Sequence, residues 1–322
     1  MTPRRGTRRR RVLVTGATSF MGSHLVRRLL NEGCLVHALI SPANNLRRLK
    51  DVQSSLALWK GDICHLGFVK KMVKDVKPQW IFHCAGFGVH PGQTDLQRLA
   101  QVNVLGMATL LTALEDLDFE RLVTSGTSAE YGPSLIPFKE TRQIAPETFY
   151  GATKAAATLL AQTFGLMKHK TVVTLRPFHV YGPGEEPTRL IHAAIRACLD
   201  DRPLKLTSLK EKRDFVYIDD VIQASMLAAS DRVQGTHIFN IGSGLETTLG
   251  KVIEIIQHHT GKKIKVIEGA YENRPWKSLC WAADNQLARK VLGWKPRYQV
   301  KEGVAKTIEW MISLDRFQST AL

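Results

Sequence analysis

Little in this chain would place it in a membrane or an oxidising compartment. No apolar run approaches the roughly 20 residues that a membrane-spanning helix needs, because the most hydrophobic stretches are short and bounded by glycine, proline or charge. No membrane association is therefore expected. The five cysteines, Cys34, Cys64, Cys84, Cys198 and Cys280, are odd in number and scattered, with neither a C-x-x-C pair nor a zinc-like spacing. That excludes a disulfide framework and gives no metal site, so free thiols in a reducing cytoplasm are expected. Internal repeats, low-complexity segments, long linkers and recognisable nucleic-acid modules are also missing. Acidic residues are few, 29 against 45 Lys and Arg, for a formal net charge of +16. Residues 1–10 hold part of the excess as a basic tail, and the rest is dispersed without aromatic interleaving. Phosphate-bearing small molecules, not nucleic acid, are the partners such a charge suggests. The tail does not read as a leader, since Val12 to Gly16 runs directly into a glycine motif where an apolar region would have to follow.

With 44% hydrophobic residues in 322, the chain can bury a substantial core. Its first element is a short apolar run from Arg11 to Thr15, followed by Gly16-Ala17-Thr18-Ser19-Phe20-Met21-Gly22 and an amphipathic stretch to Asn31. This reads as strand, tight turn and helix. Such a turn aims the first N–H groups and the positive end of the helix dipole at a pyrophosphate, and the glycines permit close approach. Gly16 and Gly22 fill the outer positions, while Ser19 stands where a middle glycine is usual. The sequence predicts a second strand over 35–40. At its end a site for NAD usually offers an acid to the ribose and a site for NADP an arginine. Here Ser41, Asn44, Asn45, Arg47 and Arg48 follow with no acid among them, which leans toward NADP, although such arginines also occur on solvated helix faces.

Further strands are expected over 56–60, with Asp62 and Ile63 just beyond for an adenine edge, and over 80–84, running into Ala85 and Gly86. A long helix over 95–117, a strand over 121–125 and a sixth strand over 171–176 follow. This alternation predicts an α/β fold, a Rossmann-type doubly wound parallel sheet with a smaller interleaved C-terminal lobe. The dinucleotide-binding part is expected over 11–182, with 213–241 returning to it, and the substrate lobe over 183–212 and 242–322. Helices of that lobe are expected over 249–260, 283–292 and 301–314. Ligands in such folds sit at the carboxyl ends of the strands.

The chemistry concentrates at Tyr150 and Lys154. On a helix beginning at Phe149 they are an i,i+4 pair on one face. A tyrosine ordinarily titrates near ~10, and a nearby cation lowers that by roughly one to three units, making the phenol a proton donor or acceptor near neutrality.

The glycine turn, Asp62, the cluster Thr124-Ser125-Gly126-Thr127-Ser128-Ala129-Glu130-Tyr131-Gly132, the Tyr150/Lys154 pair and Arg213-Asp214-Phe215-Val216-Tyr217 occur in one order. Together they closely resemble the extended short-chain dehydrogenase/reductase family, specifically its nucleotide-sugar epimerases, dehydratases and reductases, over nearly the whole chain. The resemblance implies that Tyr150 is the acid/base, that Lys154 holds the nicotinamide ribose, and that Thr127 hydrogen-bonds the reacting sugar hydroxyl. It implies cofactor contacts from Gly16, Thr18, Ser19, Phe20, Met21, Gly22, Ser41, Arg47, Asp62, Ile63, Cys84, Ala85, Gly86, Tyr150, Lys154 and Pro177. Substrate contacts would come from Thr127, Ser128, His179, Arg189, Arg213 and Arg274, the arginines gripping the diphosphate. Asn103 matches a structural asparagine. Relatives that eliminate water carry acids just after that threonine, where this chain has Ser128 and Ala129, so dehydration is not expected. Alternation points Glu130 away from the substrate.

The resemblance implies an NAD(P)-dependent nucleotide-sugar epimerase working by hydride transfer at sugar C4. An NADPH-dependent 4-ketoreductase and a non-catalytic dinucleotide-binding protein are the alternatives. A homodimer is expected, through a four-helix bundle of helices 95–117 and 149–168.

Overall fold

A computed structural model describes residues 9–88, 92–270 and 280–320, the side chains of 317–320 excepted. In chain order the elements are β1 (Arg11–Thr15), α1 (Phe20–Asn31), β2 (Leu35–Ile40), β3 (Ala57–Lys60), α2 (Leu66–Val76), β4 (Trp80–His83), α3 (Leu96–Leu99), α4 (Gly106–Leu114), β5 (Arg121–Ser125), α5 (Phe149–Lys168), β6 (Val172–Pro177), β7 (His179–Tyr181), α6 (Leu190–Leu199), β8 (Leu204–Lys205), β9 (Lys212–Arg213), β10 (Phe215–Tyr217), α7 (Ile218–Ala228), β11 (Thr236–Ile241), β12 (Thr247–Thr248), α8 (Leu249–Thr260), β13 (Val266–Ile267) and α9 (Val300–Thr320).

Seven strands form the central sheet in the order β11-β6-β5-β4-β1-β2-β3. The pairs β1/β2, β1/β4, β2/β3, β4/β5 and β5/β6 are parallel, as the alternation of short β runs and helices requires. The strand order reverses on either side of β1, and this switch point is where such sheets open a crevice at their carboxyl ends.

The chain divides into two compact units, Met1–Gly126 with Thr148–Leu175 and Ser225–Ile238, and Thr127–Glu147 with Arg176–Ala224 and Phe239–Leu322. Residues 127–147, 176–182, 213–224 and 239–241 group with the second unit, although their sequence lies inside the stretches expected to belong to the dinucleotide-binding part. In the first unit, Leu13, Leu39 and Ile81 of the sheet pack with Val69, Met72 and Val73 of α2 and Leu110, Leu111 and Leu114 of α4 in one buried core. The second unit has an aromatic cluster of Tyr131, Phe138 and Phe178 with Ala283.

Two expected helices are corrected. Residues 95–117 are not one regular helix: α3 and α4 are joined by a π-helical stretch, Ala100–Leu105. Asn103 lies in that stretch, and its amide bonds tie it to the loop after β4. Residues 283–292 do not form a helix from their start, because Phe138 pairs with this segment: its N–H donates to Ala282 O at 2.9 Å and its carbonyl accepts from Asp284 N at 2.8 Å. The helix runs from 286 to 292, with Ala288–Leu292 in a π turn.

Candidate active site

In the first unit the glycine turn is closed by backbone approach. Gly16 has φ +64°, and a Cβ there would lie 2.5 Å from Ala85 N, so only glycine fits. Ser19 takes the helix N-cap, its hydroxyl accepting from Gly22 N at 3.0 Å, which explains the serine at the middle motif position. The N–H groups of Phe20 and Met21, in the first turn of α1, have no carbonyl four residues back within the helix. Together with the helix dipole they form the donor set that a pyrophosphate requires.

Beyond β2, Ser41 Oγ accepts from Ala43 N at 3.4 Å, and Asn44 Nδ2 donates to Thr18 Oγ1 at 3.1 Å. A guanidinium nitrogen of Arg48 donates to the Thr18 carbonyl at 3.4 Å, and Arg47 is exposed. Of the two arginines behind the lean to NADP, Arg48 thus bonds protein backbone and Arg47 is exposed. One Asp62 carboxylate oxygen accepts from Cys64 N at 2.9 Å, while Ile63 is buried.

Cys84, Ala85 and Gly86 leave β4 beside α5. His83, fully buried, bonds Thr15 Oγ1 through Nδ1 at 2.8 Å. Burial, aided by the Lys154 ammonium, pushes its imidazole down to about 3, so it is neutral. Burial pushes the Cys84 thiol up to about 12, against the pull of Lys154. Helix α5 starts at Phe149, with Thr148 as N-cap accepting from Gly151 N at 3.0 Å. Tyr150 is half-buried on its first turn, and a Cβ on Gly88 would lie 2.8 Å from Tyr150 Cδ2. Lys154 is buried and its Nζ donates to Ser125 O at the carboxyl end of β5. Asn103 completes this frame: Oδ1 accepts from Phe87 N at 2.8 Å, and Nδ2 donates to Phe87 O and Thr153 Oγ1, both at 3.0 Å.

In the second unit Thr127 caps a single 3₁₀ turn, Ser128–Glu130, and its hydroxyl accepts from Ala129 N at 3.3 Å. Ser128 is half-buried. Glu130 is fully buried: one carboxylate oxygen accepts from Thr127 N at 2.8 Å and the other from Arg176 Nε at 2.8 Å. Sequence reasoning missed this pair, although Thr127 and Glu130 carry the Thr-x-x-Glu signature of a capping box. Pro177 ends β6, buried, and the His179 ring packs edge-on to Phe215 at 5.4 Å. Arg213 donates to Glu211 at 2.6 Å with its guanidinium over the Trp281 ring at 5.3 Å, and Arg189 pairs with Glu185 at 3.4 Å. Arg274 lies outside the described residues.

A Rossmann-type sheet with a glycine turn at β1/α1 and a Tyr-x-x-x-Lys helix following the Ser/Thr segment defines an enzyme of the extended short-chain dehydrogenase/reductase type. The chain belongs to the NAD dependent epimerase/dehydratase family, whose pattern matches residues 12–242. It is 30% identical over 311 residues to the UDP-glucose 4-epimerase of Mycolicibacterium smegmatis, covering 93% of this chain and 98% of the relative. With the UDP-glucuronate 4-epimerase of Thermodesulfobacterium geofontis it shares 29% over 310 residues, covering 92% and 95%. Among solved structures, MoeE5 in complex with UDP-glucose and NAD is 34% identical with a TM-score of 0.84, covering 94% of this chain and 99% of that one.

Proposed function

We propose that the protein is an NAD-dependent 4-epimerase of a UDP-linked sugar. The observation that carries this reading is the start of α5, where the buried Lys154 bonds the end of β5 one helical turn beyond Tyr150. NAD would be held by the turn from Gly16 to Gly22 with Thr18, Ser19, Phe20 and Met21, by Ser41, Asp62 and Ile63 past β2 and β3, and by Cys84, Ala85, Gly86, Lys154 and Pro177. Bound there, it would supply an acceptor and donor for the C4 hydride. Tyr150 removes the proton of the C4 hydroxyl and gives it back, and its phenolate is favoured by the Lys154 ammonium. By its place in the motif, Thr127 donates a hydrogen bond to the same oxygen and steadies its developing charge. Ser128, His179, Arg189, Arg213 and Arg274 are assigned to the nucleotide sugar, the arginines by their suitability for phosphate.

Elimination of water needs an acid beside Thr127. The two following residues have none, and the next, Glu130, is committed to Arg176. The test is incubation of the purified protein with UDP-glucuronate or UDP-glucose and no added cofactor, followed by NMR of the sugar. The C4 epimer is expected. No interconversion, with NADPH consumed on a 4-keto sugar, overturns epimerisation in favour of reduction.

We also propose a homodimer through α4 and α5. Along α5, Leu159, Leu160, Leu166 and Met167 are exposed, 54%, 38%, 67% and 71%, and Leu105 just before α4 is 49% exposed. Such a stripe is more than scattered surface apolarity. Light scattering that finds only monomer refutes it. The five cysteines are free thiols, which supports a cytoplasmic setting, and among the described residues no helix is long and apolar enough to cross a membrane.

A further inference from the structure

Thr127 hangs from a buried charge pair. Its N–H donates to one Glu130 carboxylate oxygen at 2.8 Å, and Arg176 Nε donates to the other at 2.8 Å. The side chains are 0% and 3% exposed. Arg176 is held in turn, its guanidinium 4.5 Å from the centre of the Tyr131 ring. The Tyr131 hydroxyl donates to Asn240 Oδ1 at 2.7 Å, Asn240 Nδ2 donates to Phe138 O at 2.7 Å, and Asn240 N donates to Glu140 at 2.8 Å. The chain of bonds thus runs from Thr127 into the aromatic core of the second unit.

A carboxylate is the only common side chain with two acceptor oxygens for these two donors. The Thr127 hydroxyl uses one lone pair to accept from Ala129 N at 3.3 Å, and this leaves its proton for another acceptor. The direction of that proton follows from the Thr127 backbone, which the Glu130 bond fixes. We propose that Glu130, held by Arg176, is a positioning residue of the reaction that acts through Thr127 and touches neither substrate nor cofactor. The proposal rests on the role given to Thr127 above.

Glu130→Gln removes one acceptor, so either Thr127 N–H or Arg176 Nε–H loses its partner. The test is a double-mutant cycle with Thr127→Ala, reading kcat and KM for epimerisation, together with hydrogen exchange at the Thr127 amide in the free protein. Glu130→Gln is expected to lower kcat about a hundredfold with KM changed less than about twofold, and to speed exchange at Thr127. In the Thr127→Ala background the same substitution is expected to change kcat less than about twofold. An unchanged kcat in Glu130→Gln, or an equal loss in both backgrounds, overturns the proposal alone. An unchanged kcat in Thr127→Ala by itself overturns the role of Thr127 and the proposal with it. If Glu130→Gln lacks the circular dichroism of the parent, Arg176→Lys carries the same cycle: it keeps the charge but loses the planar fork, and the same pattern of loss and non-additivity is expected.

Discussion

The two units hold their functional side chains by different physics. In the first, Tyr150 and Lys154 sit on a helix start fixed by neutral groups: the Thr148 cap, the Asn103 amide and the Ser125 carbonyl. In the second, Thr127 is fixed by a fully buried ion pair. The bonds between uncharged groups contribute about 1 kcal/mol each, and that of the Lys154 ammonium about 1.5–3 kcal/mol. A buried pair contributes little net stability against apolar residues of the same shape, yet losing one partner is expensive, because the other is left charged without compensation. The frame around Tyr150 and Lys154 is therefore the more tolerant of substitution, and that around Thr127 the more brittle.

The largest test of this contrast removes chemistry without removing frame. Tyr150→Phe is expected to lower turnover about 10²- to 10⁴-fold, while urea unfolding stays within about 0.5 kcal/mol of the parent. Measured activity that is unchanged would refute the catalytic role. Arg176→Ala should do the reverse to the frame, costing about 3–5 kcal/mol in urea unfolding by stranding the Glu130 carboxylate. A loss below about 1 kcal/mol would erase the difference between the units.

The units are also expected to answer pH in opposite senses. His83 titrates near 3 in the folded state and near 6.5 unfolded, so between these values the unfolded chain binds more protons and acid weakens the first unit. Burial raises Glu185 to about 7 and Asp214 to about 6, against about 4 unfolded. Their contribution is fully present below about 4 and is lost as pH rises toward 6 or 7. Each group contributes about 1.4 kcal/mol per pH unit within its window. Native-state hydrogen exchange, corrected for intrinsic rates, should show β4 opening more easily from pH 6.5 to 5 while the segments bonded to Asp214, Ser243–Gly244 and Ala283, open less. Matching slopes in both would contradict the assignment. The smallest effect is that of Thr148→Ala, about 1 kcal/mol for a lost cap, read by thermal melting.

What could be read from the sequence was local. The strand, glycine turn and helix at Arg11–Asn31 follow from residues within one turn of each other, as does the start of α5, and both stand where the spacing placed them. The helix expected over 283–292 starts three residues later, because Phe138, far away in sequence, pairs with its first residues and overrides helical propensity there. The lean to NADP is not supported: the matching family is NAD dependent, and MoeE5 was solved with NAD. Half of the Glu130 arrangement was visible as Thr-x-x-Glu. The other half, Arg176, lies 46 residues on, and no local pattern announces it.

The π-helical stretch at Ala100–Leu105 has a consequence for length. Leu99, Asn103 and Met107 are all buried and lie four residues apart, but on a regular helix each step of four overshoots a full turn by about 40°. The wider turn absorbs that drift, keeping all three on the inner side while Leu105 stays exposed. The stretch acts as a one-residue insertion kept in the helix. Deleting a single residue of it would restore ordinary winding and leave α3 and α4 in phase, removing only the local bulge in which Asn103 sits. The bulge thus sets where Asn103 meets the loop after β4, and not how the flanking helices face.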